Sequence, residues 1–166
     1  MAKNDPMKAT ILAAKIISNV SADMAGIPEL NIPSGFKSLG LVTADSDDVT
    51  YTALDEATKM ADVEVVYAKS FYGGAANANT KLAGEIIGII AGPNPAEVRS
   101  GLNAIKDFIA NDAWVVSANE DDSIIYYAHV ISRTGSYLSK VAGIQEGESL
   151  AYLIAPPLEA ISRAYM

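Results

Sequence analysis

Three segments of this chain occur twice, in the same order. Ala14-Lys15-Ile16-Ile17-Ser18 returns as Ala128-His129-Val130-Ile131-Ser132, and Ala25-Gly26-Ile27 returns as Ala142-Gly143-Ile144. The run Ser38-Leu39-Gly40-Leu41-Val42-Thr43-Ala44 returns as Ser149-Leu150-Ala151-Tyr152-Leu153-Ile154-Ala155. The offsets are 114, 117 and 111, differences that loop lengths absorb. Each match is short, but together they indicate a tandem duplication of a mixed α/β unit. After its SLGLVTA strand the first copy continues through a helix, two strands and a second helix, to about Ala110. The second copy has only the start of that continuation, and no counterpart of residues 63–110 follows. A sheet short of two strands leaves backbone groups and apolar side chains unpaired. The expectation is one domain over residues 1–110 and a partial second over 111–166, completed elsewhere or by a partner.

Local patterns supply the elements. The run from Ala9 to Ser18 suits a strand or an apolar helix, and its β-branched residues favour strand. Further strands are expected at Ser38–Ala44, Val63–Phe71, Ala83–Ala91 (with Gly84 and Gly88 inside it), Ala113–Ala118, Ile124–Ser132 and Ser149–Ala155. A helical turn is expected near Ala22–Ala25 and a helix over about Asp48–Ala61, where Tyr51, Leu54, Ala57 and Ala61 recur at helical spacing. In Gly92-Pro93-Asn94-Pro95, Asn94 suits an N-cap, Pro95 the first helical position and Glu97 the third, opening a helix to about Ala110. Ser136–Ala142 reads as a short helix ended by Gly143, and a last helix starts at Pro156 with Leu158, Ile161 and Tyr165 on one side.

Half of the 166 residues are hydrophobic and 19% are charged, which suits a packed core and excludes wholesale disorder. The net charge of −8 disfavours nucleic acid and anionic membrane surfaces and favours a cationic ligand. The absence of cysteine removes disulfides, thiolate metal sites and a Cys nucleophile, and fits a reducing cytosol. The densest apolar stretch, Ile86–Ala91, is far shorter than the roughly 18–20 residues a membrane span needs, and the opening MAKNDPMK does not lead into a signal-peptide cleavage pattern. A mean hydropathy of +0.19 fits apolar surface buried between subunits.

Several longer motifs carry a family resemblance. They include Asp45-Ser46-Asp47-Asp48-Val49-Thr50-Tyr51, Leu54-Asp55-Glu56-Ala57-Thr58-Lys59, Gly92-Pro93-Asn94-Pro95-Ala96-Glu97-Val98-Arg99, Ser132-Arg133-Thr134-Gly135-Ser136-Tyr137 and Ala151-Tyr152-Leu153-Ile154-Ala155-Pro156-Pro157-Leu158-Glu159-Ala160. Through them the chain resembles the ethanolamine-utilization microcompartment shell proteins, over about residues 12 to 160. The resemblance implies an α+β, ferredoxin-like fold of two tandem, circularly permuted microcompartment domains, mostly antiparallel sheet with helices, the second incomplete here. It implies a homotrimer forming a pseudohexagonal tile, other shell proteins as neighbours, a place in the cytoplasmic organelle's wall, and no catalysis. Where that family commonly has cysteine, this chain has Ser46 and Val130, so thiol chemistry is dispensable there or has been engineered out.

Each candidate site has two readings. Asp45, Asp47 and Asp48 precede a helix, where acids cap and offset the dipole. Calcium is a poor fit, because Val49 and Thr50 stand where a calcium loop needs a ligand and a glycine. The resemblance implies instead a small acidic pore for ethanolamine at Asp47, Asp48 and Glu85, with an aromatic near Trp114. Carboxylates would accept charge-assisted hydrogen bonds from the ammonium, and a ring face would add cation–π attraction. Ser70–Thr80 reads as a plain small-residue loop or, by resemblance, as the gate of a central pore, with Ser70, Phe71, Tyr72, Gly73 and Gly74 at its start. His129, the single histidine, reads as structural and not as a base. No cofactor follows from these residues; the family raises cobalamin between subunits, which nothing in this sequence supports independently. The rivals are a soluble trimeric sensor of amino alcohols or cobalamin on the same fold, and an enzyme acting on an amino alcohol.

Overall fold

A computed structural model describes residues 5–71, 80–82 and 84–156, with Leu158, Ser162 and Tyr165. Its elements in chain order are β1 (Pro6–Met7), β2 (Ile11–Ile17), α1 (Ala22–Ala25), a 3-10 turn at Pro28–Leu30, β3 (Ser38–Ala44), α2 (Asp47–Met60), β4 (Glu64–Ser70), β5 (Ile86–Gly92), α3 (Pro95–Asn111), β6 (Val115–Ser117), β7 (Ile125–Ile131), α4 (Ser136–Ala142) and β8 (Leu150–Ile154). They form two antiparallel sheets of four strands among the described residues, ordered β2-β3-β5-β4 and β1-β6-β7-β8. The short strand β1, from the start of the chain, joins the sheet of the second half through Pro6↔Val116 and Met7↔Val115.

The duplication is visible in register. In the first copy Ala14 faces Val42, Lys15 faces Leu41, Ile16 faces Gly40 and Ile17 faces Leu39. In the second, Ala128 faces Leu153, His129 faces Tyr152, Val130 faces Ala151 and Ile131 faces Leu150, the same pairs after the sequence offsets. The closing hydrogen bonds repeat as well. Ser38 Oγ donates to Ser18 O at 2.8 Å, and Ser149 Oγ donates to Ser132 O at 2.8 Å. The Val20 N–H donates to Lys37 O at 2.8 Å, and the Thr134 N–H to Glu148 O at 2.9 Å.

One face of the first sheet packs under α2 and α3, through Val42, Ile90, Leu54, Val98, Leu102 and Ile105. That core runs on into the second half at Val115 and Tyr127. The other face is covered by the segment after β2: Leu39, Val66 and Ala91 meet Leu30, Met24, Ile32 and Phe36. Helix α3 begins as its sequence indicates, with the Asn94 side chain accepting the N–H groups of Ala96 and Glu97 at 2.9 and 3.0 Å. The Glu97 carboxylate accepts the Asp62 N–H at 2.9 Å, so it ties the α2–β4 turn to the start of α3.

Two expectations change. Gly84 stands before β5, not inside it. Its N–H donates to Asp45 O at 3.1 Å, and a Cβ there would meet Asp47 Oδ1 at 2.8 Å. The backbone at this point is spent on the β3–α2 turn instead of a neighbouring strand. The acids before α2 also divide their work: Ser46 is the N-cap without a side-chain cap bond, while buried Asp45 accepts the Thr10 N–H at 2.6 Å. Most of the helix expected from Pro156 lies outside the described residues, as do Tyr72, Gly73 and Gly74.

Candidate functional site

Polar groups from α2 reinforce the apolar seam between the two halves. Tyr127 on β7 donates its hydroxyl to Thr52 Oγ1 at 3.0 Å. Asp55, fully buried, accepts the N–H groups of Gly135 and Leu138, each at 2.8 Å. It thereby caps α4, whose own N-cap is Gly135. In the first copy the corresponding position is Ser21, which caps α1 with its own hydroxyl on Met24 N–H at 3.3 Å. Helix α2 has taken over that task in the second copy.

At the N-terminal end of α2 the same seam holds a half-open cavity of about 90 Å³. Ser46, Asp47 and Asp48 line it on one side; Leu82, Val115, Ile125, Tyr126, Tyr127 and Ile154 close it. A single water needs only about 10–15 Å³ of such space, so a small organic guest fits. Asp47 Oδ1 accepts the Asp48 N–H at 2.9 Å, and Tyr152 on β8 donates its hydroxyl to Asp48 Oδ1 at 3.0 Å. Burial, reinforced by the neighbouring Asp47 and partly offset by the Tyr152 hydrogen bond, pushes the Asp48 carboxyl up to about 6. Burial and the Asp48 charge hold the Tyr152 phenol protonated well above its ordinary range. The arrangement is an acidic pocket with apolar walls, suited to a small cation that brings its own donors.

Of the residues expected to bind ligand, Asp47 and Asp48 line this cavity. Glu85 and Trp114 are not among its lining residues. The Glu85 carboxylate accepts the Thr80 hydroxyl at 2.8 Å, and its carbonyl accepts the Phe71 N–H at 2.7 Å. Trp114, 40% exposed, adjoins the buried lining residue Val115. Ser70 ends β4, and the exposed Phe71 ring follows it with Lys69 Nζ 6.0 Å from its centre. His129 is half-buried, stacked on Tyr127 at 5.9 Å and edge-on to Phe108 at 5.4 Å; burial is the main cause holding its pKa below the usual value. The sequence reading missed Tyr152 and Tyr127. The repeat held a signal for both, since the first copy has Leu41 and Ala13 at those places. No group of three metal-ligating side chains occurs among the described residues, and no helix there is long and apolar enough to cross a membrane.

The BMC domain model matches residues 38–133, more than half of the chain, which makes this a bacterial microcompartment domain protein. The shell protein EutL of Clostridium perfringens is 69% identical over 159 residues, 96% of this chain and 72% of that protein. EutL of Escherichia coli is 53% identical over 156 residues, 94% of this chain and 70% of that one. The solved structure of EutL from Leptotrichia buccalis superposes with a TM-score of 0.87 at 68% identity, over 96% of this chain and 72% of the other. The trimeric microcompartment shell protein PduB, at 16% identity and a TM-score of 0.66 over 84% of this chain and 59% of that one, shares the fold. The chain belongs to the EutL family of bacterial microcompartment shell proteins.

Proposed function

We propose that this chain is a structural tile in the wall of the ethanolamine-utilization microcompartment, within the cytoplasm, and that it passes small molecules instead of transforming them. Family membership supports the wall role. The observation that carries the transport reading is the seam cavity, where Asp47 and Asp48 meet in a space of about 90 Å³. An ammonium has three N–H donors, and each charge-assisted bond to a carboxylate contributes about 1.5–3 kcal/mol. Ethanolamine carries such a group with a two-carbon tail for the apolar wall. The carboxylate–tyrosine chemistry of the cavity suits recognition, which supports a non-enzymatic role.

In this reading three copies close a ring of six similar units, with other shell proteins beside it, the two halves of each chain serving as consecutive units. The segment that begins at Ser70 and Phe71 serves as the gate of a central aperture. Ligand favours one state of that aperture only by binding it better than the other. Electron microscopy of the purified protein tests the wall role. Extended hexagonal sheets are expected; dispersed particles under all packing conditions would favour a soluble sensor. Turnover of ethanolamine that is lost on Asp48→Asn would overturn the non-enzymatic reading.

A further inference from the structure

A second cavity lies across Tyr152 from the first. It is a half-open pocket of about 260 Å³, against about 90 Å³ for the acidic one, and its walls are Tyr51, Tyr137 and Tyr152 with Ala68, Leu138 and Val141. The rings of Tyr51 and Tyr137 stand 6.5 Å apart and tilted by 31°. Tyr152 is braced edge-on by Tyr127 at 5.7 Å, and its hydroxyl is held by Asp48. One wall residue of the larger cavity is therefore hydrogen-bonded to a wall residue of the smaller.

We propose that this tyrosine-lined cavity is a binding site for organic ammonium cations too bulky for the acidic cavity, with a trimethylammonium group as the type of head group it fits. Three electron-rich rings line one space, and a ring attracts a cation that meets its face without needing a hydrogen-bond donor from it. The charge behind the rings has the matching sign. Burial chiefly, with the charges of Asp47 and Asp48 adding to it, holds the Tyr51 and Tyr152 phenols above their ordinary range. On a chain of net charge −8, no long-range field opposes a cation's approach. The two cavities then sort amines by size and donor count: a primary ammonium with three N–H groups suits the carboxylates, and a methylated one with none suits the rings. The inference stands apart from the ethanolamine reading, since the ring site needs no occupant in the acidic cavity.

The test is a calorimetric titration with choline and with its neutral carbon isostere, in which a tert-butyl group replaces trimethylammonium. Choline is expected to bind at least about tenfold more tightly than the isostere, the range of a desolvated cation–π contact. Val141 is 67% exposed at the rim, so Val141→Trp fills the cavity from outside. That variant is expected to lose choline binding and to leave the affinity for ethanolamine unchanged. Tyr137→Leu keeps an apolar wall without a ring face, and is expected to bring choline down to the level of the isostere. Equal affinity for choline and isostere, no choline binding at all, or choline binding that survives both variants would overturn the proposal.

Discussion

Asp48 and Tyr152 lie 104 positions apart, and the phenol of one donates to the carboxylate of the other at 3.0 Å across the seam between the two halves. That contact partly offsets the burial and the Asp47 charge that favour the protonated form of the Asp48 carboxyl. The carboxyl is raised from 3.8 to about 6, chiefly by burial, so the folded chain holds a proton there that the unfolded chain releases. Between those two values the native state binds more protons, and its stability falls as pH rises. Asp48→Asn removes the titration while keeping an acceptor for Tyr152. Denaturant melts from pH 4 to pH 8 are expected to show the variant gaining stability over the parent as pH rises through 4 to 6, the gain levelling off above about 6.5. A difference independent of pH would place the charge in a solvated setting.

Asp55 secures the same seam farther along α2. Its two oxygens accept the Gly135 and Leu138 N–H groups, both from the start of α4. Asp55→Ala leaves two buried donors without that acceptor, at a cost of about 3 kcal/mol. Chemical denaturation measures this loss, and hydrogen exchange at Leu138 is expected to accelerate more than exchange in β3. Uniform acceleration across both sheets would mean that α4 docks by apolar contacts alone.

Gly135 marks how closely α2 approaches α4. A Cβ there would meet the Asp55 carbonyl oxygen at 2.7 Å and collide with the Thr58 hydroxyl. Backbone cannot yield as a side chain can, so Gly135→Ala is expected to destabilise by about 2 kcal/mol or more. The double variant Gly135→Ala, Thr58→Ala is expected to recover only part of that loss, because the carbonyl remains. Full recovery in a thermal melt would assign the whole cost to the hydroxyl.

Fold was more legible than site. The strand pairs β2–β3 and β7–β8 share one register, and a duplicated sequence betrays such pairing because each copy must bury the same alternate residues. The Asn94 cap of α3 was legible because capping acts over three residues. The Asp55–Leu138 and Asp48–Tyr152 contacts join residues 83 and 104 positions apart, and no local pattern encodes them. Gly84 misled because a small residue beside an apolar strand looks like part of it, while its N–H is committed to Asp45. Glu85 and Trp114 followed from the family resemblance and from no local pattern, and neither is among the residues that line the cavity.

The central claim, that the acidic seam cavity takes the ammonium of ethanolamine, is tested most directly by calorimetric titration of ethanolamine against the parent and Asp48→Asn at pH 8 and pH 5. The account predicts saturable binding to the parent at pH 8, weakened about tenfold at pH 5 as the carboxyl near 6 takes up its proton, and lost at both values in the variant. Equal affinity for parent and variant at pH 8 would contradict it.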